Sequence, residues 1–153
     1  MKISGYYIYN NVAITAFSVL AMLRLSSKIP LSKVALLMPI LLDDNIVGKM
    51  TNQRPTSFDS VITQNKVYLS NFNNRYDDLL PQVVNAISIL LDLNLVSLYG
   101  EYVISENAEK YESILSRCDS NRLKNICVVS SKLLKLVKDS DIVNDYRKLN
   151  IEL

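Results

Sequence analysis

The chain has 153 residues, 49% hydrophobic and 21% charged, a balance that suits a folded globular domain and argues against disorder. Its 17 basic and 15 acidic residues leave a formal charge of +2, so it lacks the basic excess of a dedicated nucleic-acid binder and any phosphate contact must be local. Histidine is absent and the glycines stand alone at positions 5, 48 and 100, which removes the commonest general base and metal ligand and excludes the GxxxxGK[ST] and GxGxxG phosphate loops.

The first eleven residues carry Tyr6, Tyr7 and Tyr9 beside Ile8, a strip suited either to a partner surface or to the edge of a core, and they lack the continuous apolar stretch of a secretory signal. A cytoplasmic protein is expected. Residues 12–25 are apolar on nearly every face, with Asn10 or Asn11 placed as the cap, and predict a buried central helix. A second apolar run, residues 34–42, follows a turn around Ile29 and Pro30. Ser32 is placed to cap it, Asp43 and Asp44 close it, and Pro39 is expected to kink it or end its hydrogen bonding. Neither run reaches the roughly 20 apolar residues a membrane span requires.

Residues 43–58 are polar and mix turn formers, including Gly48, Lys49, Arg54 and Pro55, so a loop or short helix is expected. Two modest helices should follow, over 57–65 and 66–76, the second turning Val67, Leu69 and Phe72 toward the core, with the asparagine-rich stretch to Asp78 as a boundary. The clearest periodicity is Leu79, Leu80, Val83, Val84, Ile87, Leu90 and Leu91, the i, i+3, i+4, i+7 spacing of one helical face. Residues 95–99 and 102–105 flank Gly100-Glu101 as a two-residue hairpin. Beyond Asn107, residues 108–118 form a short amphipathic helix with Tyr111, Ile114, Leu115 and Cys118 on one side. Asp119 or Ser120 then caps a longer helix with a stripe of Leu123, Ile126, Cys127, Leu133, Leu134 and Val137, and a last short helix or tail ends the chain.

The fold expected is mainly α with a small β-hairpin, a winged-helix-like helical domain. It would form a single domain over residues 1–153, made of a helical part (10–76), a winged-helix-like part (77–106) and C-terminal helices (107–150). No catalytic, cofactor-binding or metal-ligating constellation is visible, and a non-enzyme is expected. The pairs Asp43-Asp44 and Asp77-Asp78 are suited to helix boundaries more than to Mg²⁺, since adjacent side chains diverge. Cys118 and Cys127 lie on an apolar stripe and have no visible activating partner. The candidate partner or phosphate contacts are Lys49 and Arg54 in the polar connection and Arg122, Lys124, Lys132, Lys135 and Lys138 in the long C-terminal helix. Against a DNA-reading role, the wing carries Glu101 and Glu106, and Asp119, Asp139 and Asp141 lie close enough in sequence to make the basic set a solvated face.

The order of segments resembles the middle component of prokaryotic three-component ABC-ATPase conflict systems, the group that includes the Lamassu antiphage systems and their LmuC subunit. The resemblance runs from about residue 10 to 151. It is carried by Asn11-Val-Ala-Ile, by the run from Ile29 to Leu42, by Thr56-Ser57-Phe58, by Ser131-Lys-Leu-Leu-Lys and by the closing segment from Asp141 to Ile151. It departs from the family pattern at Asn71 to Asn74 and in lacking a proline after the last helix. The resemblance implies a non-catalytic adaptor between an SMC-like ABC ATPase that senses DNA and a toxic effector, often a nuclease, with DNA reached through the complex and no membrane involved. In that role the N-terminal helices and the lysine-flanked helix would meet the ATPase, and the 43–58 segment would face the effector. The alternative is a winged-helix DNA-binding regulator.

Overall fold

The computed structural model describes residues 11–152. The tyrosine strip at Tyr6, Tyr7 and Tyr9, and Asn10 as a cap, lie outside the described residues. Asn11 is the cap observed: its side chain accepts the Ile14 amide at 3.0 Å and opens α1 (Val12–Leu23). Val19, Ala21 and Met22 are wholly buried, and α1 packs against both α5 (Phe72–Asp92) and α7 (Asn121–Val137), which is why it is apolar all round. Its buried hydroxyls bond to the helix's own carbonyls, Ser18 to Ile14 at 2.9 Å and Thr15 to Asn11 at 3.2 Å.

The turn expected around Ile29 and Pro30 is instead a strand, β1 (Lys28–Pro30), and it leads directly into α2 (Leu31–Leu41). Ser32 does not cap α2. The helix starts one residue earlier, and the amide of Leu31 donates to the Glu101 carbonyl at 2.8 Å, so the hairpin satisfies the helix end. Pro39 does not stop the helix, which runs on to Leu41; close to the end, the missing amide costs a single ladder bond to Ala35. All residues from Lys33 to Leu41 are buried.

Of the two options for residues 43–58, helix applies to most: α3 (Asp44–Asn52), with the Asp43 carboxylate accepting the amides of Asn45 and Ile46 at 3.0 and 3.1 Å. It turns Ile46, Val47 and Met50 inward. After a short connection, Ser57 and Ser60 form a reciprocal capping box at the start of α4 (Phe58–Gln64). Of the helix expected over 66–76, residues 72–76 are helical as the start of α5 and Phe72 is buried, whereas residues 66–71 turn over the buried Asn65, whose carbonyl accepts the amides of Tyr68 and Leu69, and Val67 is 81% exposed. The asparagine-rich stretch is no boundary either: α5 begins inside it, because burial of Phe72 and Tyr76 outweighs the weak helix propensity of Asn73 and Asn74. Of the predicted apolar face, Leu79, Val83, Ile87 and Leu90 are buried, while Val84 is 58% exposed.

Asn94, at φ +55, ends α5 and lets the Leu95 amide reach the Leu90 carbonyl, turning the chain into β2 (Val96–Tyr99). β2 pairs with β3 (Tyr102–Ser105), Tyr99 opposite Tyr102, and Gly100 takes φ +58 at the first turn position. The hairpin is not alone. β1 pairs with the other edge of β3, Ile29 opposite Val103, making a three-stranded antiparallel sheet of order β1-β3-β2. Ile29, Val96 and Val103 cover the core, while Tyr99 and Tyr102 lie on the outer face with Lys28 5.0 Å above the Tyr102 ring. The remaining helices are α6 (Ala108–Ser116), α7 and α8 (Ile142–Lys148), capped by Asn107, Ser120 and Asp141.

Among the described residues two charged ones, Lys33 and Asp145, are buried. Lys33 is 6% exposed, and its ammonium donates to the carbonyls of Val137, Lys138 (3.1 Å) and Ser140 (2.9 Å), at and just past the C-terminus of α7. The Ser140 hydroxyl in turn donates to the buried carboxylate of Asp145 on α8. Tyr146 completes this corner: its phenol contacts that of Tyr76 at 2.9 Å and donates to the Ser32 carbonyl at 3.0 Å.

Replacing Lys33 with Met keeps the apolar stem and leaves the end of α7 uncapped, so urea unfolding should show a loss of about 2–4 kcal/mol. The pH dependence has a definite sign. Burial raises the phenol pKa values of Tyr111 and Tyr146, the latter also through its hydrogen bond with Tyr76. An unfolded tyrosine ionises near pH 10 whereas these hold their protons longer, so above about pH 10 the unfolded chain binds fewer protons and stability falls as pH rises. Unfolding free energies measured from pH 8 upward should show this decline, and Tyr146→Phe should flatten it.

Candidate functional site

The seven basic side chains singled out from the sequence divide into those the fold consumes and those it leaves free. Lys132 is consumed: its ammonium donates to the carbonyls of Met50, Thr51 and Gln53 at 2.7, 2.8 and 2.8 Å, capping the C-terminus of α3. Arg122 is held by Asp44 at 2.9 Å and reaches the Leu42 carbonyl at the end of α2. Lys49 lies 4.7 Å over the ring of Tyr68, and Arg54 is exposed in the connection after α3. Lys49, Arg54 and Arg122 do not share a surface with the rest; Lys132 does lie beside Lys124 and Lys135, but its ammonium is already committed.

Lys124, Lys135 and Lys138 do share a surface. With Val128 and Ser131 they follow the i, i+4, i+7 progression of one stripe along α7, ending at its C-cap, and all three lysines are exposed. Among the described residues none of them has a carboxylate at ion-pair distance.

Two clefts flank this stripe. The larger, about 630 Å³, lies between α1, α6 and α7 and is lined by Phe17, Arg24, Cys118, Cys127, Val128 and Lys124. The smaller, about 280 Å³, lies between β1 and the C-terminal half of α7, with Leu25, Ile29, Pro30 and Leu134 as apolar lining and Lys28 and Lys138 as cationic lining. Ser131 and Lys135 line both, so the two clefts adjoin and together make one grooved face along α7. Glu112, drawn to within 3.8 Å of Arg24, is the acidic residue lining it. The other carboxylates of this region, Glu101, Asp139 and Asp141, line a neighbouring hollow beyond Lys28 and Lys138.

Chemically the groove is a place for an anion or a carboxylate-bearing chain beside an apolar side chain. Its thiol is poorly suited to nucleophilic work at neutral pH, because burial pushes the Cys127 pKa up. Among the described residues no cluster of His, Cys, Asp or Glu could hold a metal ion, and no helix is long and apolar enough to cross a membrane.

Sequence reasoning missed Lys28 and Lys33. A lysine within the apolar run from Leu31 to Leu42 is itself a signal, since an ammonium buried there needs several acceptors, but nothing in the run says that they come from α7. The helix of the expected winged part, α5, carries one basic residue, Arg75, and it is occupied by the Asp43 carboxylate and the Tyr68 carbonyl. The exposed groups of α5 and its C-cap include Asp77, Asp78 and Asp92, the apolar Val84, Ile89 and Leu93, and the neutral Asn85 and Ser88.

Residues 12–153 match the family model described as ABC-three component (ABC-3C) system Middle Component 3. No curated protein and no solved structure matches the chain.

The division between consumed and free lysines has a direct test in stability. Lys132→Met should lower the unfolding free energy by about 1–3 kcal/mol through the uncapped end of α3. Lys124→Gln and Lys135→Gln should stay within about 0.5 kcal/mol of wild type in the same urea titration.

Proposed function

Because the chain belongs to the Middle Component 3 family of ABC-three component systems, we propose that it is a non-catalytic adaptor in an antiphage defence complex of the Lamassu type. It joins an SMC-like ABC ATPase that senses DNA to a toxic effector, works in the cytoplasm, and meets DNA through the complex. The observation that carries the adaptor reading is the character of α5. The exposed face of this helix is acidic and apolar, with Val84 at 58% and Leu93 at 56% exposure, a surface that suits protein contact and repels a phosphate backbone.

A second reading has one observation in its favour. The order α1-β1-α2, then α5-β2-β3 after the intervening α3 and α4, with the first strand paired to the third, resembles the arrangement of a winged helix and supports a reading as a DNA-binding regulator. The charge on the helix that would enter the major groove weighs against it. The expectation that residues 43–58 form a loop facing the effector needs revision, since α3 occupies most of that span and turns Ile46, Val47 and Met50 into the core. Only the exposed groups there, Lys49 and Arg54 among them, remain available to an effector.

The test is co-expression of the tagged protein with the products of the adjacent genes, followed by affinity purification and mass spectrometry. The adaptor reading expects a coiled-coil ABC ATPase and a third component at defined stoichiometry. Recovery of the protein alone, together with salt-sensitive binding to duplex DNA, would sink it in favour of the regulator.

A further inference from the structure

We infer that the groove along α7 is a docking site for an acidic segment of a partner polypeptide that carries an apolar side chain among its carboxylates. The inference rests on the adaptor reading for the partner's origin but on the groove's own chemistry for the partner's character. Lys124, Lys135 and Lys138 project from one stripe of α7 with no carboxylate at ion-pair distance among the described residues, and Lys28 adds a cation from β1 across the smaller cleft. Like charges gathered on one side of a protein with net charge +2 repel one another, and an anionic partner relieves that repulsion.

The lining decides between a polypeptide and a nucleic acid. Between Lys28 and Lys138 the cleft is lined by Leu25, Ile29, Pro30 and Leu134, and Leu25 is left 45% exposed at its edge. A sugar-phosphate backbone has nothing to place against that lining, whereas a leucine or phenylalanine flanked by glutamates fills it and puts carboxylates on the lysines at either side. Lys33 keeps the site in shape: its ammonium pins the end of α7 beside β1 and is already saturated by three carbonyls, so it takes no part in the binding charge. Asp139 and Asp141 border the groove beyond Lys138 and set the end at which an acidic chain must leave it.

The experiment uses the full-length protein and fluorescence anisotropy with three labelled probes of equal charge: a glutamate-rich peptide with a central leucine, the same peptide with serine in place of leucine, and a short DNA duplex. The leucine peptide should bind best, and its affinity should fall about tenfold or more in Lys135→Glu/Lys138→Glu, the loss of two exposed ion pairs. The control Lys66→Glu/Lys110→Glu makes the same change in net charge on other surfaces and should bind nearly as wild type. Equal losses in the two double variants, equal binding of the serine peptide, or tighter binding of the duplex would each overturn the inference, the last by giving the groove to nucleic acid. Circular dichroism of each variant shows that it is folded. Co-purification with the ABC ATPase is scored separately. A protein that binds the leucine peptide through Lys135 and Lys138 yet recovers no ATPase keeps the docking site and loses the adaptor reading; an ATPase complex formed without any peptide binding does the reverse.

Discussion

The ammonium of Lys33 is the contact on which the rest of the arrangement depends. A helix that ends inside a protein leaves carbonyls without donors, and an unpaired carbonyl away from water costs about 1–3 kcal/mol. The C-terminus of α7 ends against the core and is answered by a lysine from α2, far away in the chain. The same device recurs: Lys132 answers the end of α3, and Arg122 reaches the last carbonyl of α2. Each of these cations is fixed from another helix, so the helix ends act as joints between elements.

This has a bearing on the surface. Three cations are drawn into capping and so withheld from a partner, while Lys124, Lys135 and Lys138 stay exposed on one stripe of α7. α5 is left with acidic and apolar groups outward. α1 packs against both helices, so two chemically different surfaces are presented by neighbours of a single central helix. A protein that has to be recognised by two unlike partners at once needs that kind of division.

Much of the fold was legible in the residues. The all-round apolarity of 12–23, the periodicity of 79–91, the turn at Gly100, the amphipathic helix after Asn107 and the cap at Ser120 each report a local physical requirement, and each has its counterpart in the structure. What escaped was set at long range. β1 is three residues long, too short to show alternation, and exists because β3 offers it an edge. The start of α5 lies among asparagines whose own preferences point elsewhere, and burial of Phe72 and Tyr76 decides it. The candidate site shows the same divide. The spacing of Lys124, Lys135 and Lys138 is written in the sequence, but Lys132 is chemically identical to them there, and only the position of α3 sets it apart.

The reach of the Lys33 bond also bears on how the chain is made. Its carbonyl partners lie at Val137 and beyond, 104 residues later. At a synthesis rate of about 5–20 residues per second, roughly 5–20 s pass between the emergence of α2 and that of the carbonyls that neutralise its lysine. α5 follows only part-way through this interval and α7 at its end, so the two most apolar helices of the protein, α1 and α2, leave the ribosome before the helices that cover them. The nascent chain is therefore a natural client for chaperones, and its window of vulnerability is set by the distance along the chain between a lysine and the helix end that it closes.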